Sequence, residues 1–174
     1  MRRVTDANRV HGFMRRLGQR AETGGRVYFT GGATALLMGW RSTTIDIDLT
    51  LGADAQHLLR LVPALKEELE INVELAALSD FIPELPGWRD RSRFIQREGV
   101  VDFFHYDLYA QALSKVERGH AQDLTDVQAM LTRELIDAGT ARELFARIEP
   151  DLYRYPAVNP ATFRGEVDRV FARR

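Results

Sequence analysis

Asp46 and Asp48 stand one residue apart in the run Arg41-Ser-Thr-Thr-Ile-Asp-Ile-Asp-Leu49. On a strand, side chains at i and i+2 point to the same face, so both carboxylates face one way. Like charges so close repel and raise each other's pKa unless a cation sits between them. A divalent metal is the usual remedy, and all-oxygen ligands suit Mg²⁺. Just upstream, Tyr28-Phe-Thr-Gly-Gly-Ala-Thr-Ala-Leu36 reads as a short β run ending in Gly31-Gly32 and then an apolar helical turn. Paired glycines let backbone N–H groups approach a phosphate closely. Together the acids and glycines point to a metal–nucleotide site. The plainer alternatives are the polar side of an edge strand for the acids, with Ile45, Ile47 and Leu49 buried, and a simple tight turn for the glycines.

The glycine turn, the short helix and the Asp-x-Asp strand resemble the nucleotidyltransferase superfamily related to DNA polymerase β. The run from Arg41 to Asp48 is similar to the small bacterial branch that includes the toxins of AbiE-type toxin–antitoxin systems. That resemblance covers roughly residues 26–132. It implies that Asp46 and Asp48 are catalytic metal ligands and that Gly31 and Gly32 meet the β and γ phosphates. Thr34 and Arg41 become further nucleotide contacts. Ala33 departs from the serine often found after the glycines, so a hydroxyl is missing there. The family expects a third carboxylate on a later strand. Glu74, in Ile71-Asn-Val-Glu-Leu-Ala76, falls there as metal ligand and general base, with Asp102 as runner-up.

Further along, Lys115-Val-Glu-Arg-Gly-His-Ala-Gln-Asp123-Leu-Thr-Asp126-Val127 is similar to a second signature of that branch. It implies a catalytic role for Lys115 and Asp123, with Lys115 touching the triphosphate. The structural alternative is that Asp123 and Asp126 satisfy free N–H groups in the first turn of a helix. The activity implied is Mg²⁺-dependent transfer of an NMP from an NTP to a hydroxyl acceptor. That acceptor is RNA such as tRNA, or protein, with small molecules as a further class. An antitoxin protein is the implied partner. The competing function class is a non-catalytic nucleotide-binding or interaction module on the same fold.

The elements needed to position these residues are legible as patterns. Residues 5–22 carry Val10, Phe13, Met14, Leu17 and Ala21 at helical spacing. Strands are predicted over 26–30, 44–51 and 72–76, and helices over 33–40 and 54–70, the latter broken or kinked at Pro63. The first two strands are expected to pair in parallel through the 33–40 helix. Residues 78–93 read as a loop, in which Trp88 anchors the core or stacks on a base. A hairpin over 93–106 follows, then helices over 108–118, 123–134, 140–148 and 160–173. Asp123 serves as a favoured start for the second of these, and Asn159-Pro160 as cap and first turn of the last. The expected class is α/β (α+β): a nucleotidyltransferase-type mixed β-sheet flanked by helices, with a C-terminal helical region. The expected organisation is a single domain over 1–174, its core sheet in 26–107 and its helical region in 108–174.

Composition narrows the classes. At 174 residues the chain can bury roughly 70% of its unfolded surface without staples. It has no cysteine, which removes disulfides, zinc-thiolate sites and cysteine nucleophiles. No apolar run approaches the ~20 residues of a membrane span. Arg2 and Arg3 are followed by no apolar stretch of the kind a secretory signal needs, so a cytoplasmic protein is expected. The four histidines, His11, His57, His105 and His120, show no metal-ligand spacing. The net charge of −1 makes no global attraction for nucleic acid. Arg15, Arg16 and Arg20, and Arg89, Arg91, Arg93 and Arg97, are either local polyanion patches or solvated surface.

Overall fold

The computed structural model describes residues 3–173; Arg2, noted above, lies outside the described residues. The chain divides into two compact units, Met1–Ala76 with Ser92–Tyr106, and Ala77–Arg91 with Asp107–Arg174.

The first unit opens with α1 (Ala7–Arg20), capped by Asp6, whose carboxylate accepts from the Arg9 amide at 2.9 Å. Its apolar stripe, Val10, Phe13, Met14 and Leu17, is fully buried. Then come β1 (Gly25–Thr30), α2 (Gly31–Met38), β2 (Asp46–Leu51), a 3-10 turn (Gln56–Leu61), α3 (Val62–Leu69) and β3 (Asn72–Leu75), with β4 (Arg93–Glu98) and β5 (Val101–His105) completing the unit. Pro63 begins α3 instead of kinking a longer helix, because its missing N–H costs nothing in a first turn. The polar side of α1 is tied to α3. Arg16 and Arg20 both bond Glu68, and chiefly through Arg16 they hold its carboxyl below its ordinary range. Arg9 donates to the Leu69 and Glu70 carbonyls where α3 ends, at 2.6 and 3.0 Å. Arg9 therefore closes the C-terminal end of α3.

The strands form one mixed sheet in the order β3-β2-β1-β5-β4. β1 pairs in parallel with β5, and β2 in parallel with β3. β1 and β2 are antiparallel, contrary to the expected parallel crossover. The physical reason is length and return. Eight helical residues carry the chain about 12 Å, and residues 39–45 bring it back to the end of the sheet it left. β2 therefore starts beside the end of β1. β3 is reached by the longer path through the 3-10 turn and α3, which suffices for a parallel crossover. Val27 and Phe29, Ile47 and Leu49, Val73, and Val101 and Phe103 form the buried face, packed with the α1 stripe, Ala33 and Leu65.

The second unit is helical: α4 (Trp88–Arg91), α5 (Leu108–Arg118), α6 (Ala121–Thr132), α7 (Ala138–Ile148), a 3-10 turn (Glu149–Arg154) and α8 (Pro160–Val170). Asp107, Asp137 and Asn159 cap α5, α7 and α8, accepting amide bonds from Tyr109, Thr140 and Thr162 at 3.0, 2.7 and 3.0 Å. α6 starts two residues before Asp123, with His120 at the cap position, so Asp123 is not the cap. α5 packs against α6, α7 and α8, and the Phe145 and Phe163 rings meet at 4.8 Å between centroids. Segment 77–91 joins this unit through polar ties. Arg91 donates twice to the fully buried Asp107 carboxylate, at 3.0 and 2.7 Å, and Tyr155 donates to the Ser79 carbonyl at 2.7 Å. Burial pushes the Asp107 carboxyl up, and Arg91 opposes that. Trp88 is buried, with the Arg89 guanidinium over its ring, which gives it an anchoring position. Among the described residues no helix is long and apolar enough to cross a membrane.

Candidate functional site

β2 alternates as its sequence dictates: Ile47, Leu49 and Leu51 are buried, while Asp46, Asp48 and Thr50 lie half-buried on the opposite face. Pairing register then sets the neighbours. Thr30, the last residue of β1, stands opposite Asp48, and Glu74 of β3 stands opposite Asp48 on the other side. The next row pairs Asp46 with Asn72. Adjacent strands lie about 4.8 Å apart, so Asp46, Asp48, Asn72 and Glu74 share one small patch of the sheet.

The chain turns from Thr30 directly into Gly31, whose φ is +59°. A Cβ at Gly31 would lie 2.8 Å from Asp48 Oδ2. The carboxylate therefore stands against Gly31, with Asp46 on the same strand face. Gly32 serves a different neighbour, since a Cβ there would come within 2.0 Å of the Thr44 hydroxyl oxygen. The turn thus needs glycine for two independent steric reasons, one of them the acid itself.

The remaining first-unit candidates divide. Glu74 is exposed and accepts from the Asn72 amide at 3.2 Å. The same amide donates to Asp46 Oδ1. Asn72 was not singled out by its sequence context, because nothing in the sequence announces which residue a strand register will set beside Asp46. Asp102 pairs with Arg26, four residues before Thr30 on β1, and so sits about 13 Å along the strand from the Asp48 row; its ion-pair partner is Arg97. Thr34 is fully buried and donates to the Phe29 carbonyl at 3.2 Å, with His105 Nδ1 at 3.1 Å. Its hydroxyl is thus engaged inside the fold, where it secures α2 to the sheet. Burial, with help from Arg93, drops the His105 pKa to about 4, so the ring is neutral at pH 7. Arg41 is half-buried in the return after α2, and its amide bonds the Ala35 carbonyl at 3.3 Å.

Lys115 and Asp123 belong to the second unit. Lys115, only 6% exposed, bonds Asp126 at 2.8 Å and Asp123 at 3.4 Å. Arg118 donates to both oxygens of Asp123. Burial works to raise the Asp123 carboxyl, but Arg118 and Lys115 outweigh it and hold it below its ordinary range. This cluster has a complete structural account as a buried ionic tie between α5 and α6. An open cleft of about 800 Å³ also lies in this unit, lined by Tyr109, Gln128, Thr132, Asp137 and Arg142 among others. None of the acids and glycines singled out above lines it, so volume alone does not make it the site of chemistry.

A divalent cation fits the first-unit patch by the chemistry of its donors. Asp46 and Asp48 present hard oxygens on one face, and the missing side chain at Gly31 lets the Asp48 carboxylate lie against the turn. Among the described residues no three acids or histidines converge as a ready-made metal group, and Glu74 is separated from Asp46 by the Asn72 amide.

A five-stranded mixed sheet flanked by helices is a nucleotidyltransferase-type α/β fold. The chain belongs to the family described as a nucleotidyltransferase of unknown function, DUF6036, whose sequence pattern matches residues 8–158. No curated protein and no solved structure matches it.

Proposed function

We propose that this protein is a Mg²⁺-dependent enzyme that moves an NMP from an NTP to a hydroxyl acceptor, either RNA such as tRNA or a protein side chain. The observation that carries the reading is the Asp48 carboxylate lying against Gly31, with Asp46 on the same face. When bound, Mg²⁺ would neutralise triphosphate charge and polarise the α-phosphate. The protein's own part is positioning. Asp46 and Asp48 would hold the cation, and the amides at the start of α2 would receive the phosphates. The acceptor oxygen would bond to the α-phosphorus as the bond to the β-phosphate oxygen breaks. Pyrophosphate leaves, and the acceptor proton passes to Glu74, the exposed acid opposite Asp48. The resemblance to AbiE-type toxins supports a toxin role controlled by an antitoxin protein.

A second reading, a nucleotide-binding module without turnover, is favoured by the apolar Ala33 beside the glycines, which packs into the core, and by the lack of a convergent third acid among the described residues. One experiment separates the two. Purified protein is incubated with each α-labelled NTP, Mg²⁺ and total tRNA or lysate, alongside Asp48→Asn. Label transferred by the wild type and lost in the variant supports the enzyme. NTP binding by calorimetry with no transfer to any acceptor supports the module, and neither binding nor transfer ends both.

A further inference from the structure

We infer that Asn72 is a positioning residue for the cation site: its amide holds Asp46 in place and, when no cation is bound, stands between Asp46 and Glu74 as a neutral bridge. The inference rests on the proposed metal role of Asp46 and Asp48. Two observations and one rule of donor chemistry carry it. Strand register sets Asn72 directly opposite Asp46, and Glu74 directly opposite Asp48, on the edge strand of the sheet. One side-chain nitrogen of Asn72 donates to both Asp46 Oδ1 and Glu74 Oε1. Between two carboxylates only the NH₂ end of the amide can serve, because the carbonyl end has no proton to give.

The consequence is an unequal pair of aspartates. Asp46 has one oxygen tethered to β3, which fixes its plane and leaves its other oxygen for a metal. Asp48 is set by the glycine turn. Partners of this kind orient metal ligands, and their loss typically costs about 10–100-fold in metal affinity or activity. The amide also softens repulsion between two acids that a cation would otherwise have to neutralise. An aspartate at the same position would have the same shape and no donor, and would add a charge. A leucine or valine would leave Asp46 and Glu74 without this donor.

The test uses the full chain without nucleotide and Mn²⁺ alone as probe, followed by calorimetry and by thermal melting with and without the ion. Asn72→Ala is expected to weaken Mn²⁺ binding by about tenfold. Asn72→Asp is expected to melt below wild type in cation-free buffer and to gain more from Mn²⁺ than wild type does. In a transfer assay, Asn72→Ala should need more Mg²⁺ for half-maximal rate while reaching the wild-type kcat at saturating Mg²⁺, a split that a purely structural residue would not produce. Wild-type Mn²⁺ affinity in both variants would overturn the inference and leave the metal reading standing. A wild-type chain that binds no Mn²⁺, with or without ATP, would overturn both.

Discussion

At Gly31 the fold leaves no room for a methyl group: φ is +59° and the Asp48 carboxylate fills the space where a Cβ would project. Gly31→Ala is therefore expected to cost about 1–2 kcal/mol from the left-handed backbone alone, read by urea unfolding, and to displace Asp48. Asp48→Asn should leave the melting temperature within a few degrees and lower NMP transfer by about 100-fold, the scale for losing one charge-stabilising group. His105 supplies a pH test. Its pKa falls from 6.5 to about 4 in the fold because burial, chiefly, and Arg93 disfavour the charged ring. The unfolded chain thus binds the extra proton first as pH falls. The contribution to stability is full above pH 6.5 and is lost between 6.5 and about 4, amounting to about 3 kcal/mol at most. Asn at this position can still donate to Thr34 but does not titrate, so His105→Asn should flatten that part of the stability–pH curve measured by urea melts.

Between elements, the decisive contact is the ionic tie of α5 to α6. Lys115 is the counter-charge for Asp126 and shares Asp123 with Arg118. Lys115→Met would leave Asp126 buried against an apolar side chain, and the expected loss is about 3–5 kcal/mol in chemical denaturation. A loss below about 1 kcal/mol, joined to abolished transfer, would instead assign Lys115 to the triphosphate. The α1–α3 arginines make a gentler case. Arg16 and Arg20 sit near the surface, so each contributes little to stability, and their shared engagement with Glu68 explains why they cluster without invoking a polyanion.

Over the whole molecule, protection should follow sheet order. β1 has a hydrogen-bonded neighbour on both sides, whereas β3 and β4 are edges. Native-state hydrogen exchange is expected to be slowest in β1 and fastest, among the strands, in β3 and β4. Exchange in β3 as slow as in β1 would contradict this ordering. A net charge of −1 gives no broad field toward RNA, so an RNA acceptor would have to be held by local contacts, with a salt dependence set by the number of phosphates they neutralise.

The sequence by itself determined the local elements and the chemistry they could carry. Alternation in β2 dictates that Asp46 and Asp48 share a face, and the stripe of α1 dictates which side is buried, because periods of 2 and 3.6 are properties of backbone geometry. The cap at Asn159 and the glycine turn were legible from side-chain chemistry, an oxygen placed to accept a first-turn amide and a missing Cβ that permits positive φ. Tertiary structure alone decided the antiparallel β1–β2 pairing, the grouping of segment 77–91 with the C-terminal helices, the burial of Lys115 among its acids, and the meeting of Asn72 with Asp46. Those outcomes depend on where a chain returns after leaving the sheet and on which register it adopts. Such choices are made by packing distant residues together, and no local spacing encodes them.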